Sequence, residues 1–170
     1  MLPKSYVVFK WFVYGLATFF LCAVHSLFFC HIRVLGLFPF IYPMLPAVIA
    51  MYEGTPRGAV YALVFGVVCD LLLPTPFPGF YAIAFALTAL LSASIGGNLL
   101  SPGPLCALVV SSLGLLLTGG LRILTCMLSG GGDLLLMGKI ALGETLLTLP
   151  LLLLVVPVYR VVHRRCAADY

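Results

Sequence analysis

His25, Asp70, Arg122 and Glu144 each interrupt a long apolar run of this 170-residue chain. An imidazole, two carboxylates and a guanidinium inside a bilayer could relay a proton, hold a ligand or lock helices together. An aspartyl-type hydrolase needs two carboxylates facing each other, one as base and one as acid. Asp70 with Glu144 is the pair that could supply them, and Asp70 is the deeper of the two. Other intramembrane chemistries leave marks that this sequence lacks. It has no G-x-S-G element, no H-E-x-x-H, no aspartate-rich run for lipid phosphotransfer and no phosphate-cradling glycine loop. Its six cysteines form no C-x-x-C pair, so neither a metal site nor a disulfide framework is expected. The expectation is a protein without catalytic residues, metal or cofactor.

The elements that must position these residues follow from hydropathy. Hydrophobic residues make up 63% of the chain and charged residues 8%, with a mean hydropathy of +1.21. That leaves too little charge for a soluble surface and points to an all-α integral membrane protein. The alternation of a membrane barrel is absent. Six spans are predicted within a single transmembrane domain over 1–170: about 8–29, 38–52, 57–73, 80–97, 104–128 and 139–162. The first has a basic start but an apolar run too long for a cleaved leader, so it is read as a span. Pro43 and Pro46 shorten or kink the second, and Pro74 stops the third. The linkers "PTPFPG", "NLLSPGP" and "SGGGD" are short and full of helix breakers.

The net charge of +4 is a topology signal rather than a hint of nucleic acid, because the basic residues gather at span ends. Lys4, Lys10, Arg57, Arg160, Arg164 and Arg165 fall on the side of both termini, against Arg33 and Lys139 on the other. This favours cytoplasmic termini. Counting about 1.5 Å per residue puts His25, Asp70, Arg122 and Glu144 at similar depth, in the outer third of the bilayer. Asp70 is too short to reach the interface and sits near a helix C-terminus, where the macrodipole disfavours a negative charge. It must be protonated, hydrated or paired. Arg122 is the natural partner, with Glu144 as a rival; snorkelling to the interface is the alternative for Arg122. Arg122 lies on a polar stripe with Ser111, Thr118, Thr125 and Ser129. For His25 an interior hydrogen bond is expected.

Steps of four back from Asp70 reach Gly66, Ala62, Gly58 and Gly54. In lipid, helices associate by close packing, and a ridge of small residues lets backbones approach. The third span is therefore expected to be central and gripped by a neighbour, within the subunit or from a partner. The fourth carries a broad small face at Ala82, Ala86, Ala89 and Ala93.

The stretch "RGAVYALVFGVVCDLLLPTPFPGFYAIAFALTALLS" resembles the bacterial rod-shape-determining protein MreD family. The resemblance rests on a prolyl start to the second helix (Pro43 or Pro46), a third helix ending G-x-x-x-D (Gly66, Asp70) and a short linker. Gly79 and Ala82 then open an Ala-rich fourth helix. It covers about residues 43–97. It implies a six-helix fold resembling the substrate-binding subunits of energy-coupling vitamin transporters. It also implies a non-enzymatic scaffold in the bacterial inner membrane. The expected partners are MreC first, then MreB, RodA and a transpeptidase penicillin-binding protein. The alternative is a vitamin-binding transporter subunit itself, although the A-x-x-x-A contact motif of that group is missing from "FVYGLATFFLCAVHSLFF".

Overall fold

The computed structural model describes residues 4–29, 36–131 and 133–167. Arg33, assigned above to the far side, lies outside them. The helices are α1 (Lys4–Phe28), α2 (Met44–Glu53), α3 (Thr55–Leu72), α4 (Phe80–Asn98), α5 (Pro104–Leu128), α6 (Leu134–Thr148) and α7 (Leu152–Ala167). A single 3₁₀ turn, Leu149–Leu151, joins the last two. Five stretches are long and apolar enough to cross a membrane, the last being Leu134–Arg165 taken as one rod. The chain is thus a multi-pass helical membrane protein.

The second predicted span is corrected. Its helix has ten residues, about 15 Å of rise against a hydrocarbon core of about 30 Å. The segment nevertheless runs from one end of the bundle to the other. Pro39 O accepts from the His25 ring near the end of α1, and Glu53 meets Lys10 near its start. Residues before Pro43 therefore cover the far half without helix, and α2 covers the near half. Pro43 caps α2 with φ −67°, a conformation its ring presets. Gly54 then turns the chain straight into α3 at φ +80°, ψ 177°, a region open almost only to glycine.

α2, not α3, is the central helix. Every residue from Met44 to Met51 is buried, as an all-round apolar helix requires. One core surrounds it with Tyr14 and Leu21 of α1, Val110 of α5, and Val155 and Tyr159 of α7. A second core joins α3 to α4 through Ala62, Cys69, Phe80, Phe85 and Ala89. α3 buries only its small ridge and turns Val60, Leu63, Val67 and Leu71 outward.

The last span also differs from expectation. It begins at Leu134, where the Asp133 side chain accepts from Leu135 N at 3.1 Å, a standard cap. Lys139 therefore lies inside α6 rather than at its start. Pro150 lacks an N–H and interrupts the helical ladder at the 3₁₀ turn.

Candidate functional site

Asp70 finds its partner in backbone rather than in a counter-charge. Its Oδ1 accepts from Tyr81 N at 2.9 Å and its Oδ2 from Ala82 N at 3.1 Å. These are two of the four amides that a helix start leaves unpaired. The residue in the cap position of α4 is Gly79, with φ +86° and no side chain to accept them. Asp70 reaches across from α3 and does the capping instead. The α4 dipole, positive at this end, offsets the unfavourable end of α3. The expected Asp70–Arg122 pair is therefore not formed.

Gly66 explains how α4 comes near enough. A Cβ at Gly66 would lie 2.5 Å from Ala82 Cα and 2.7 Å from Tyr81 O. The glycine thus touches the backbone that Asp70 caps one turn later. Gly58 makes the same kind of contact on the other side, its Cβ position being 2.6 Å from Ala50 Cα of α2. The ridge is split between two neighbours of the same chain, α2 below and α4 above, with Ala62 buried between them. That face is fully occupied, so Gly58, Ala62 and Gly66 pack helices internally and a partner cannot share them. Gly54 belongs to the turn rather than the ridge. Ala82 abuts Gly66, while Ala89 and Ala93 bury the small face of α4.

The two acceptor oxygens of Asp70 set a graded expectation. Asp70→Asn keeps one acceptor and turns an amide N–H toward a backbone donor, whereas Asp70→Ala loses both bonds. A hydrogen bond to a charged group contributes about 1.5–3 kcal/mol. Thermal unfolding in detergent should rank wild type above Asn and Asn above Ala. Asn and Ala unfolding at the same midpoint would show that the charge alone matters.

The remaining band residues meet around the non-helical segment. Arg122 lies 3.5 Å from Glu144, with side chains 45% and 24% exposed. At that distance it is a loose pair, longer than a charge-assisted hydrogen bond. The guanidinium carbon also stands 5.5 Å from the centre of the Phe40 ring. Phe40 N donates to Thr148 Oγ1 at 2.9 Å, giving the broken crossing a backbone partner that lipid cannot supply. His25 holds Pro39 O at 2.8 Å, the interior hydrogen bond expected for it. On the α5 stripe Thr118, Thr125 and Ser129 donate to carbonyls of their own helix, while the buried Ser111 hydroxyl has no partner among the described residues. Asp70 and Glu144 thus hold different partners.

A second polar cluster, at the near end, is not among the expected residues. The Glu53 side chain is 2% exposed and pairs with Lys10 Nζ at 2.7 Å. Tyr14 Oη donates to it at 2.8 Å and His163 Nδ1 lies 3.1 Å away. One carboxylate thereby ties α1, α2 and α7 together. Two turns further on, Thr18 Oγ1 donates to Tyr14 O. Its oxygen must then accept from the hydroxyls of Tyr61 and Tyr159. One donor and two acceptor sites saturate this hydroxyl. A glycine immediately after Glu53 makes the acid look like part of an exposed turn, and nothing local in sequence announces its three partners.

This knot joins α1 to α3. Between them lies a cavity of about 550 Å³, walled by Gly15, Cys22, Ala23, Val64, Phe65 and Val68 among others. Phe19, Val64 and Val68 also face outward, so the cavity opens sideways. The space beside Arg122 and Glu144 is far smaller, about 20 Å³. No family model matches the sequence, and neither a curated protein nor a solved structure matches the chain.

Proposed function

We propose that the chain is a non-enzymatic scaffold of the bacterial rod-shape complex, a protein of the MreD type that binds MreC in the inner membrane. MreB, RodA and a transpeptidase penicillin-binding protein belong to the wider assembly. One observation carries this reading. The residues on which the resemblance rests, Gly66, Asp70, Gly79 and Ala82, act as one mechanical unit: two helices interlocked by a glycine contact and a cap. A scaffold has use for such a unit, because a partner is positioned only by helices that keep fixed relative places. The proposed topology has both termini in the cytoplasm. It is supported by Lys10, Arg57, Arg160, Arg164 and Arg165, which belong to the same end of the bundle as Glu53.

The vitamin-carrier alternative needs a ligand-sized pocket with polar groups: the space beside Arg122 and Glu144 is about 20 Å³, against the roughly 300–1,000 Å³ of ordinary small-molecule sites, and the larger cavity between α1 and α3 is walled mostly by apolar side chains. Depletion in the native host separates the two. Rounded cells, together with loss of MreC from the purified complex, are the expected result. Unchanged shape with a vitamin requirement would replace the scaffold reading by the carrier one.

A further inference from the structure

We propose that the groove between α1 and α3 holds one acyl chain of an anionic phospholipid, with the headgroup at Arg57. The interior of the groove asks for hydrocarbon. Its walls are mostly apolar, and the hydroxyls at its base, those of Thr18 and Tyr61, are satisfied by Tyr14 O, Tyr159 and each other. On α1 the groove runs from Gly15 to Ser26 and on α3 from Tyr61 to Leu73. Either wall is about 17 Å long and begins about 6 Å beyond Arg57, so a chain anchored there runs along the groove past the midplane of a bilayer core of about 30 Å. An apolar cleft that opens sideways at this depth is filled by lipid tail rather than by water.

The mouth supplies the charge. Arg57 stands four residues before Tyr61, so it shares the groove-lining face of α3 one turn nearer the end. It is exposed and makes no ion pair among the described residues. Trp11 stacks on Tyr61 with ring centroids 5.9 Å apart, placing an indole where such rings meet headgroups. Arg160, Arg164 and Arg165 are exposed on α7, whose His163 belongs to this same end. Glu53, the acid buried there, is already taken by Lys10 and His163. Among the described residues this end of the bundle therefore carries an excess of positive charge, with Arg57 its member on the groove-lining face, complementary to a phosphate diester bearing no cationic group. This choice distinguishes the site from a plain hydrophobic cleft, which would take any lipid.

The test is native mass spectrometry of the full chain in detergent, with phosphatidylglycerol or phosphatidylcholine added. One phosphatidylglycerol should be retained in preference to phosphatidylcholine. Arg57→Gln should weaken that retention about fivefold, the effect of one basic residue at an anionic surface. Gly15→Leu should abolish it, since a Cβ there meets nothing within 4 Å and the side chain enters the groove without displacing protein. Both variants should unfold at the wild-type midpoint when lipid is absent. If Gly15→Leu unfolds early, Val68→Phe on the facing wall serves as the blocking variant. Equal retention of the two lipids overturns the proposal, as does full retention after the groove is blocked. A co-purified protein segment in place of lipid overturns it as well.

Discussion

Gly66→Leu should prevent α3 and α4 from closing on each other, and the purified protein should lose its cooperative unfolding transition in mild detergent. The reason is that the added atoms meet backbone. A Cβ at this position falls 2.5 Å from Ala82 Cα, 2.7 Å from Tyr81 O and 2.8 Å from Ala82 N. None of these can rotate away as a side-chain tip can. Forcing them apart costs about 1–3 kcal/mol for overpacking alone. It also withdraws Tyr81 N and Ala82 N from Asp70, a further loss of about 1.5–3 kcal/mol for a hydrogen bond to a charged group. Gly66→Ala should already show most of the strain. Gly97→Ala is the control, because a Cβ there meets nothing within 4 Å and alanine favours a helix over glycine by about 1 kcal/mol. If Gly66→Leu unfolds with wild-type midpoint and slope, α3 and α4 do not touch through this residue.

The same residues show what a sequence can and cannot reveal about such a chain. The Gly66–Asp70 spacing was legible because a lone acid and a small ridge are both anomalous in an apolar run. The partner of Asp70 was not legible, because backbone amides look alike in a sequence while Arg122 advertises its charge. The acid was assigned to the visible cation, and the α4 start, signalled by a cap-position glycine with no acceptor of its own, supplied the invisible one. Hydropathy marks the five stretches long and apolar enough to cross a membrane but cannot say what shape the backbone takes in the segment between the first two. "FPFIYP" is as apolar as a helix, yet only Met44–Glu53 of that segment is helical. Lys139 misleads in the opposite direction: read as the edge of a span, it hides residues 134–138, by which α6 extends before it. The ridge reads in the sequence as a surface for close approach, but its division between α2 and α4 depends on which way each neighbour leans. Gly114, whose Cβ would approach Thr88 Cγ2 to 2.7 Å, shows the same device on α5, where no buried acid drew attention to it.

Glu53→Ala should be the most destabilising single change at the near end, and a companion substitution should largely reverse the loss in a related variant. Removing the carboxylate leaves the Lys10 ammonium, 13% exposed, without its counter-charge, and takes the acceptor from Tyr14 and His163. Deleting one member of a buried ion pair costs about 3–5 kcal/mol, because the other is left uncompensated. Lys10→Met should cost less, since Tyr14 and His163 still hold the carboxylate. Glu53→Gln keeps an acceptor for Tyr14 but strands the ammonium. Combining Lys10→Met with Glu53→Gln removes both charges and retains a near-isosteric side chain, so the double variant should be more stable than Glu53→Gln alone. A double-mutant cycle on unfolding midpoints reads the coupling directly. Strict additivity would mean that Lys10 and Glu53 do not form the tie between α1 and α2. A strong coupling would make this one carboxylate the fastening of α1 to α2, and with it the near end of the groove that α1 forms with α3.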